Sequence, residues 1–430
     1  MDNIRRIKKM NKNKVVVISV DAMITSDIEI LKEFEEAKPF FDDFAQGEKM
    51  LSVYPSLTYP CHVSILTGCY PNKHGIINND LFDPNDKAPN WHWYDREHKV
   101  RSMLDIAKEN GLTTACIGWP STSGANVDYL ITKIWTPEAE DEDRVNSVSV
   151  KDIYHKYKYL IEGHVMTNLD KFSALCTSEI IERYKPDLTI GYLANIDSQR
   201  HKKGVSSELH KEALHDIAKH LGQIADATKK AGIFDDTTFI LVSDHGQIDV
   251  DHVFNINVEL KKRGYIWRNK AGLIEWKVIS HSTAFGGEIY TKDVELDEVA
   301  KVLEEIRREY PEEMERVLNS YEMEKIYHLS GPFNFIVENQ TGVAMGRAIE
   351  GGIISRPGMD DYKSANATHG HAPEKGVKAT FIISGKMAKR GARVKEASII
   401  DEAPTILSIF GLEMKDIDGK ALKELIKGEN

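Results

Sequence analysis

Six side chains able to bind metal and one hydroxyl set the terms of this sequence. Asp21, Asp197, His201, Asp244, His245 and His369 are each expected at the end of a strand or in the loop just beyond it. Carboxylates mixed with imidazoles suit borderline divalent cations, Zn2+ foremost and Mn2+ as well, whereas Ca2+ and Mg2+ sites use oxygen donors with little histidine. Six such donors suffice for two ions with open coordination positions. Asp244-His245 is the most telling pair, because two polar groups following a fully apolar strand are costly when buried without a partner. Asp197 and His201 alone also fit a loop carboxylate beside a surface imidazole. His371 shares the context of His369, one of the two being structural, and His281 reads as structural.

The hydroxyl belongs to Thr58, within Ser52-Val-Tyr-Pro-Ser-Leu-Thr-Tyr-Pro-Cys-His62. A β-favouring run breaks there at Pro55 and passes into a short apolar-faced helix. A helix N-terminus offers free N–H groups and the positive end of the dipole, so a hydroxyl held beside it is a candidate nucleophile toward phosphate. The other reading of Thr58 is an ordinary N-cap.

The elements that must position these groups repeat one design. Lys14 to Asp21, Leu188 to Asp197 and Thr237 to Asp244 are apolar runs ending in a carboxylate, the pattern of buried parallel strands whose C-terminal ends carry a site. Helices are expected at Val100 to Asn110, Tyr154 to Tyr184 and Glu208 to Gly232, with further strands at Thr113 to Gly118 and Ala379 to Ser384. The prediction is an α/β fold, a doubly wound, mostly parallel sheet flanked by helices. Residues 14–254 and 364–430 would form this core. Residues 255–363, with shorter units at Val278 to Tyr290, Leu296 to Tyr310 and Phe333 to Glu338, read as an inserted, smaller α+β subdomain that shapes the leaving-group pocket. The charge run Glu304 to Glu309 is a solvated helix face.

The chain has 430 residues, 41% hydrophobic and 29% charged, enough to bury a large core. Its net charge of −11 argues against binding nucleic-acid polymers or anionic membranes. Basic Met1 to Lys14 leads into an apolar run too short for a signal segment or a membrane span, so a cytoplasmic location is expected. Cys61, Cys69, Cys116 and Cys176 lack the CxxC spacing of a zinc ribbon or redox pair.

Taken in order, Asp21, Tyr54-Pro-Ser-Leu-Thr-Tyr-Pro-Cys-His62, Thr67-Gly-Cys-Tyr-Pro-Asn-Lys-His-Gly-Ile76, Asn79, Asp197 to His201, Asp244-His-Gly246 and His369-Gly370 resemble the alkaline phosphatase superfamily. The resemblance is greatest to its nucleotide pyrophosphatase/phosphodiesterase branch and spans nearly the whole chain. It implies an alkaline phosphatase-like core in which Thr58 is the nucleophile and also meets a metal held by Asp21, Asp244 and His245. A second metal would be held by Asp197, His201 and His369. Asn79 would donate to a phosphoryl oxygen, Tyr192 would pack on a nucleoside base, and Tyr59 stands where an aromatic is expected after the nucleophile. The implied activity is two-metal hydrolysis of phosphodiester or pyrophosphate bonds in small nucleotide-like substrates through a phosphothreonine intermediate.

The chain departs from that branch at Cys61, where asparagine is usual, at Arg200, where glycine is common, and at Asn195-Ile196, where Glu-Pro is common. Arg200, with Lys202 and Lys203 nearby, is the candidate to bind a second charged group. It points to the alternatives on this scaffold, a phosphonate hydrolase of the phosphonoacetate type or a phosphomonoesterase. A noncatalytic metal-binding protein is the remaining reading. Oligomeric state is not legible.

Overall fold

The computed structural model describes residues 13–86, 90–134, 147–162 and 165–428. The basic N-terminal segment lies almost wholly outside them. The strand Lys14–Val20 runs through the centre, parallel to Leu188–Leu193 on one side and Thr237–Val242 on the other. Val15 and Val17 face one core, with Ile65, Met103 and Ile406. Val16 and Ile18 face the other, with Ile181, Ile217 and Leu221. This alternation, with both faces covered, is why these strands read as unbroken apolar runs.

Across the sheet the order is 393–394, 45–51, 379–385, 237–242, 14–20, 188–193, 114–117 and 129–131, with 397–398 also on 45–51. Every pairing is parallel except those of Ala379–Gly385, which runs antiparallel to both neighbours. One rim of the sheet therefore carries the C-terminal ends of the parallel strands and the N-terminal end of Ala379–Gly385. Asp21, the Thr58 segment and Asp244 leave from the first kind of end, and the His369 loop arrives at the second.

The strand Ala45–Leu51 was not anticipated, because Gln46-Gly-Glu-Lys49 carries no apolar alternation. The run expected to continue from Leu188 to Ile196 stops at Leu193, and Asn195–Lys203 is a helix. Asp197 thus sits in a first helical turn and His201 one turn later, not in a loop. The helix expected from Tyr154 to Tyr184 is split into Lys151–Tyr157 and Met166–Tyr184.

A second, four-stranded antiparallel sheet takes the order 278–282, 286–291, 335–339 and 314–319, with helices Leu296–Glu309 and Ser320–Tyr327. The unit expected at Val278 to Tyr290 is a hairpin within it. His252–Phe254 pairs with Val343–Met345 and Ile354–Ser355, so this body draws in residues slightly before Asn255.

Candidate active site

Thr58 is the first residue of the helix Thr58–Thr67, whose N-cap position is Leu57, without a side-chain cap. Its hydroxyl is therefore not spent on capping. Thr58 is buried, and Oγ1 lies 3.4 Å from His245 Nε2.

Two groups of three donors meet beside it, Asp21 with Asp244 and His245, and Asp197 with His201 and His369. Within each group the ligand atoms lie within 4.8 Å of one another. His245 Nε2 is 3.0 Å from Asp244 Oδ2 and 3.6 Å from Asp21 Oδ1. His201 Nε2 is 3.3 Å from Asp197 Oδ2, and His369 Nε2 is 3.7 Å from Asp197 Oδ1. The His245 and His369 rings stack with centroids 3.7 Å apart, so the two groups adjoin.

The residues around these donors aim them inward. His201 Nδ1 donates to the Ala367 carbonyl at 2.7 Å and His369 Nδ1 to the Ser56 carbonyl at 2.9 Å, which leaves both Nε2 atoms for the site. Gln247 Nε2 donates to Asp197 Oδ1 at 2.5 Å, and the Ala22 N–H donates to Asp244 Oδ1 at 3.1 Å. Ala22 adopts a left-handed φ of 57° to do so, a local strain of the kind found at functional sites. Gly370 has φ +97°, and a Cβ there would stand 1.9 Å from the Thr283 carbonyl oxygen, so only glycine lets His369 turn in at this point.

The donor groups fit divalent cations. Asp21 Oδ1 and His201 Nε2 are buried without a hydrogen-bond partner among the described residues. Burial, then the Asp244 and Asp197 carboxylates, push the Asp21 carboxyl well above its ordinary range, a like-charge crowding that a cation relieves. Burial, then His245, hold the His369 imidazole well below its usual pKa, in the neutral form that binds metal.

Asn79 sits where its carboxamide is divided: Oδ1 accepts the Tyr59 N–H at 2.8 Å, and Nδ2 donates to the Tyr362 hydroxyl at 2.9 Å. An amide nitrogen carries two hydrogens, so one donor remains.

Three residues expected to meet substrate are placed otherwise. Arg200 is fully buried, with Nη2 on both oxygens of Asp27 at 2.7 and 2.9 Å and Nη1 on the Ala22 carbonyl at 2.5 Å. Successive helical residues point about 100° apart, and His201, not Arg200, takes the direction of the site. Tyr192 is also buried, its hydroxyl donating to Asp21 Oδ2 and one ring face covered by Lys133 Nζ at 3.9 Å from the centroid. It supports a donor and offers no free face to a base. Tyr59 is buried edge-on against Trp91 and Trp93 at 5.3 and 5.8 Å.

Several contributors were missed. His62 Nδ1 donates to the Thr58 carbonyl at 2.7 Å and lies 3.3 Å from Asp244 Oδ2, tying the Thr58 backbone to a donor. Its signal was a lone imidazole one turn after Thr58 in an apolar helix. Half-buried Trp91 stands 5.6 Å from Tyr362, and the Tyr362 ring reaches within 6.0 Å of His369. Trp91-His-Trp93 in a polar loop was the visible clue. Lys133 had none.

A threonine at a helix start, facing two donor groups on one rim of an α/β sheet, is the arrangement of the alkaline phosphatase superfamily. A sequence model of the type I phosphodiesterase / nucleotide pyrophosphatase family matches residues 15–364, and the chain belongs to that family. It is 31% identical over 209 residues to human ectonucleotide pyrophosphatase/phosphodiesterase family member 1, covering 46% of this chain and 20% of that protein. It is 24% identical over 315 residues to rat family member 7, covering 70% and 63%. It is 24% identical over 260 residues to bovine bis(5'-adenosyl)-triphosphatase ENPP4, covering 57% and 50%. The chain thus spans between 20% and 63% of the length of these relatives. In fold it is similar to murine family member 5, solved as an inactive form in complex with AMP, with a TM-score of 0.69, 17% identity, and coverage of 96% of this chain and 100% of that one. No described helix is long and apolar enough to cross a membrane.

Proposed function

We propose that this chain hydrolyses phosphodiester or pyrophosphate bonds in nucleotide-like substrates, with Thr58 as nucleophile and a phosphothreonine intermediate. The observation that carries the reading is the uncapped Thr58 hydroxyl, 3.4 Å from His245 Nε2 and beside both donor groups. Asp21, Asp244, His245 and Thr58 would hold one divalent ion and Asp197, His201 and His369 another, Zn2+ or else Mn2+. When bound, such ions lower the pKa of a ligated hydroxyl and stabilise a leaving oxygen.

Thr58 Oγ1 attacks phosphorus in line with the leaving oxygen, so a Thr58 O–P bond forms as the bond to the leaving group breaks. The remaining Asn79 amide N–H and the positive end of the Thr58–Thr67 helix face the charge that builds on the phosphoryl oxygens. Water then displaces Thr58 from phosphorus and returns the free hydroxyl. The half-buried Trp91 is the aromatic face a nucleoside base would use in place of Tyr192, and the AMP bound to murine family member 5 supports the nucleotide reading. Residues 255–363 act as a cap through Tyr362, which reaches Asn79.

The experiment is a comparison of rates on bis(4-nitrophenyl) phosphate, a nucleoside 4-nitrophenyl phosphodiester, 4-nitrophenyl phosphate and phosphonoacetate. Dialysed protein is assayed with and without Zn2+ or Mn2+. Metal-dependent hydrolysis, fastest on the diesters, is expected. Hydrolysis of none of the four with either ion would refute the reading and favour a binding role.

A further inference from the structure

Lys133 stands two residues beyond the strand Tyr129–Ile131, which runs parallel to Thr114–Ile117 and, through it, to the strands that deliver Asp21 and Asp244. It therefore leaves the sheet at the same rim. Its side chain turns inward, with the residue only 6% exposed. Nζ lies 3.9 Å from the Tyr192 ring centroid and 5.3 Å from that of Tyr59. Tyr192 holds Asp21, and Tyr59 follows Thr58, so the ammonium is set between the two rings that flank a metal donor and the attacking hydroxyl.

Charge balance says what this ammonium needs. Burial disfavours it, and the Asp21, Asp244, Asp197 and Asp170 carboxylates favour it. Three of those four belong to the donor groups, and two divalent cations would more than cancel their charge. The fourth, Asp170, accepts the N–H groups of Ala194 and Asn195. That leaves the ammonium with Asp170 alone as counter-charge, and a buried ammonium so weakly compensated is costly.

On the reading of Thr58 given above, we propose that Lys133 recognises a second anionic group on the substrate, a phosphoryl, phosphonyl or carboxylate group carried a few bonds from the phosphorus that Thr58 attacks. It takes the role that Arg200, closed off by Asp27, does not fill. Compounds that carry a second phosphoryl, phosphonyl or carboxylate group are then bound more tightly than otherwise similar compounds with a single anionic centre.

The test is calorimetric titration of Zn2+-loaded protein with methylphosphonate, methylenediphosphonate and phosphonoacetate, with metal content measured before and after. The wild type is expected to bind one or both two-anion compounds roughly ten- to a hundredfold tighter than methylphosphonate. Whichever does so identifies the second group as phosphonyl or carboxylate. Lys133→Met should bring that ratio to about one, and Lys133→Arg should keep most of it. Should the Met variant fail to fold, Lys133→Gln serves in its place. No preference in the wild type, or an unchanged ratio in the uncharged variants, would overturn the proposal. Failure of the Thr58 reading would show separately, as turnover by Thr58→Ala protein, and leaves the binding ratio to be judged alone.

Discussion

Arg200 Nη2 lies 2.7 Å from Asp27 Oδ1 and 2.9 Å from Oδ2, and both side chains are wholly out of water. The pair clamps the segment after Asp21 to the helix that carries Asp197 and His201. Removing one partner strands a buried charge, which costs about 3–5 kcal/mol, whereas replacing both by apolar groups is often neutral. Arg200→Met should therefore lower unfolding free energy by about that amount, and Arg200→Met with Asp27→Leu should recover much of it. Urea titrations measure both. A stable Arg200→Met enzyme with altered substrate choice would return Arg200 to the substrate pocket.

Tyr192→Phe keeps the ring and removes the hydroxyl that supports Asp21. Loss of such an outer partner typically weakens metal binding by about 10–100-fold, which competition with a chromogenic chelator reads directly. Nucleotide and simple nitrophenyl diesters should slow by the same factor. A rise in KM confined to the nucleotide would mean that the ring stacks on a base after all.

Asn79→Ala removes the amide donor without adding a charge beside the phosphoryl oxygens, at the cost of the acceptor for the Tyr59 N–H. The expected loss is about a hundred- to a thousandfold in kcat, the range for one donor to a developing oxyanion. Tyr362→Phe removes only the partner of one amide hydrogen, and its loss should stay within roughly tenfold, in line with a single ordinary hydrogen bond. Equal damage from the two would place the Tyr362 hydroxyl, not Asn79, on the phosphoryl group.

A charge cluster centred on the buried Asp80 and Lys363 joins the loop after Asn79 to residues 278–363. Lys363 Nζ is 2.5 Å from Asp80 Oδ1, and Arg347 Nη2 is 2.6 Å from Oδ2. Burial pushes the Asp80 carboxyl up, but Lys363, His281 and Arg347 outweigh it and hold it below the usual carboxylate range. A depressed carboxyl adds stability above its unfolded pKa of about 3.9, and that stability fades as pH falls toward the folded value. Asp80→Asn should thus be strongly destabilised at neutral pH, with the gap to wild type narrowing below about pH 4. Unfolding curves at several pH values decide it; a gap constant down to the acid limit would mean that the Asp80 charge contributes nothing.

The central strands were legible because Val15 to Val20 and Phe239 to Val242 are buried on both faces, which leaves an unbroken apolar signature. The six donors could be named because polar groups stand out where such strands end, and the structure gathers them in two groups of three. Gln46 to Lys49 hid a strand, since its place in the sheet is set by its neighbours and not by its own pattern. Arg200 and Tyr192 were assigned outward roles because chain position says nothing of where a long side chain finds its partner. Asp27 and Asp21, both remote in sequence, decide those directions. Lys133 left no trace for the same reason, its partners being Tyr192 and Tyr59, each more than fifty positions away.

The covalent role proposed for Thr58 is tested most directly by the stereochemical course at phosphorus. A nucleoside phosphorothioate diester of known chirality is hydrolysed in isotopically labelled water, and the configuration of the product is determined. Two successive in-line displacements, by Thr58 and then by water, predict overall retention, together with an acid-trapped adduct on the peptide containing Thr58. Inversion without an adduct would mean direct attack by water and would contradict the phosphothreonine mechanism.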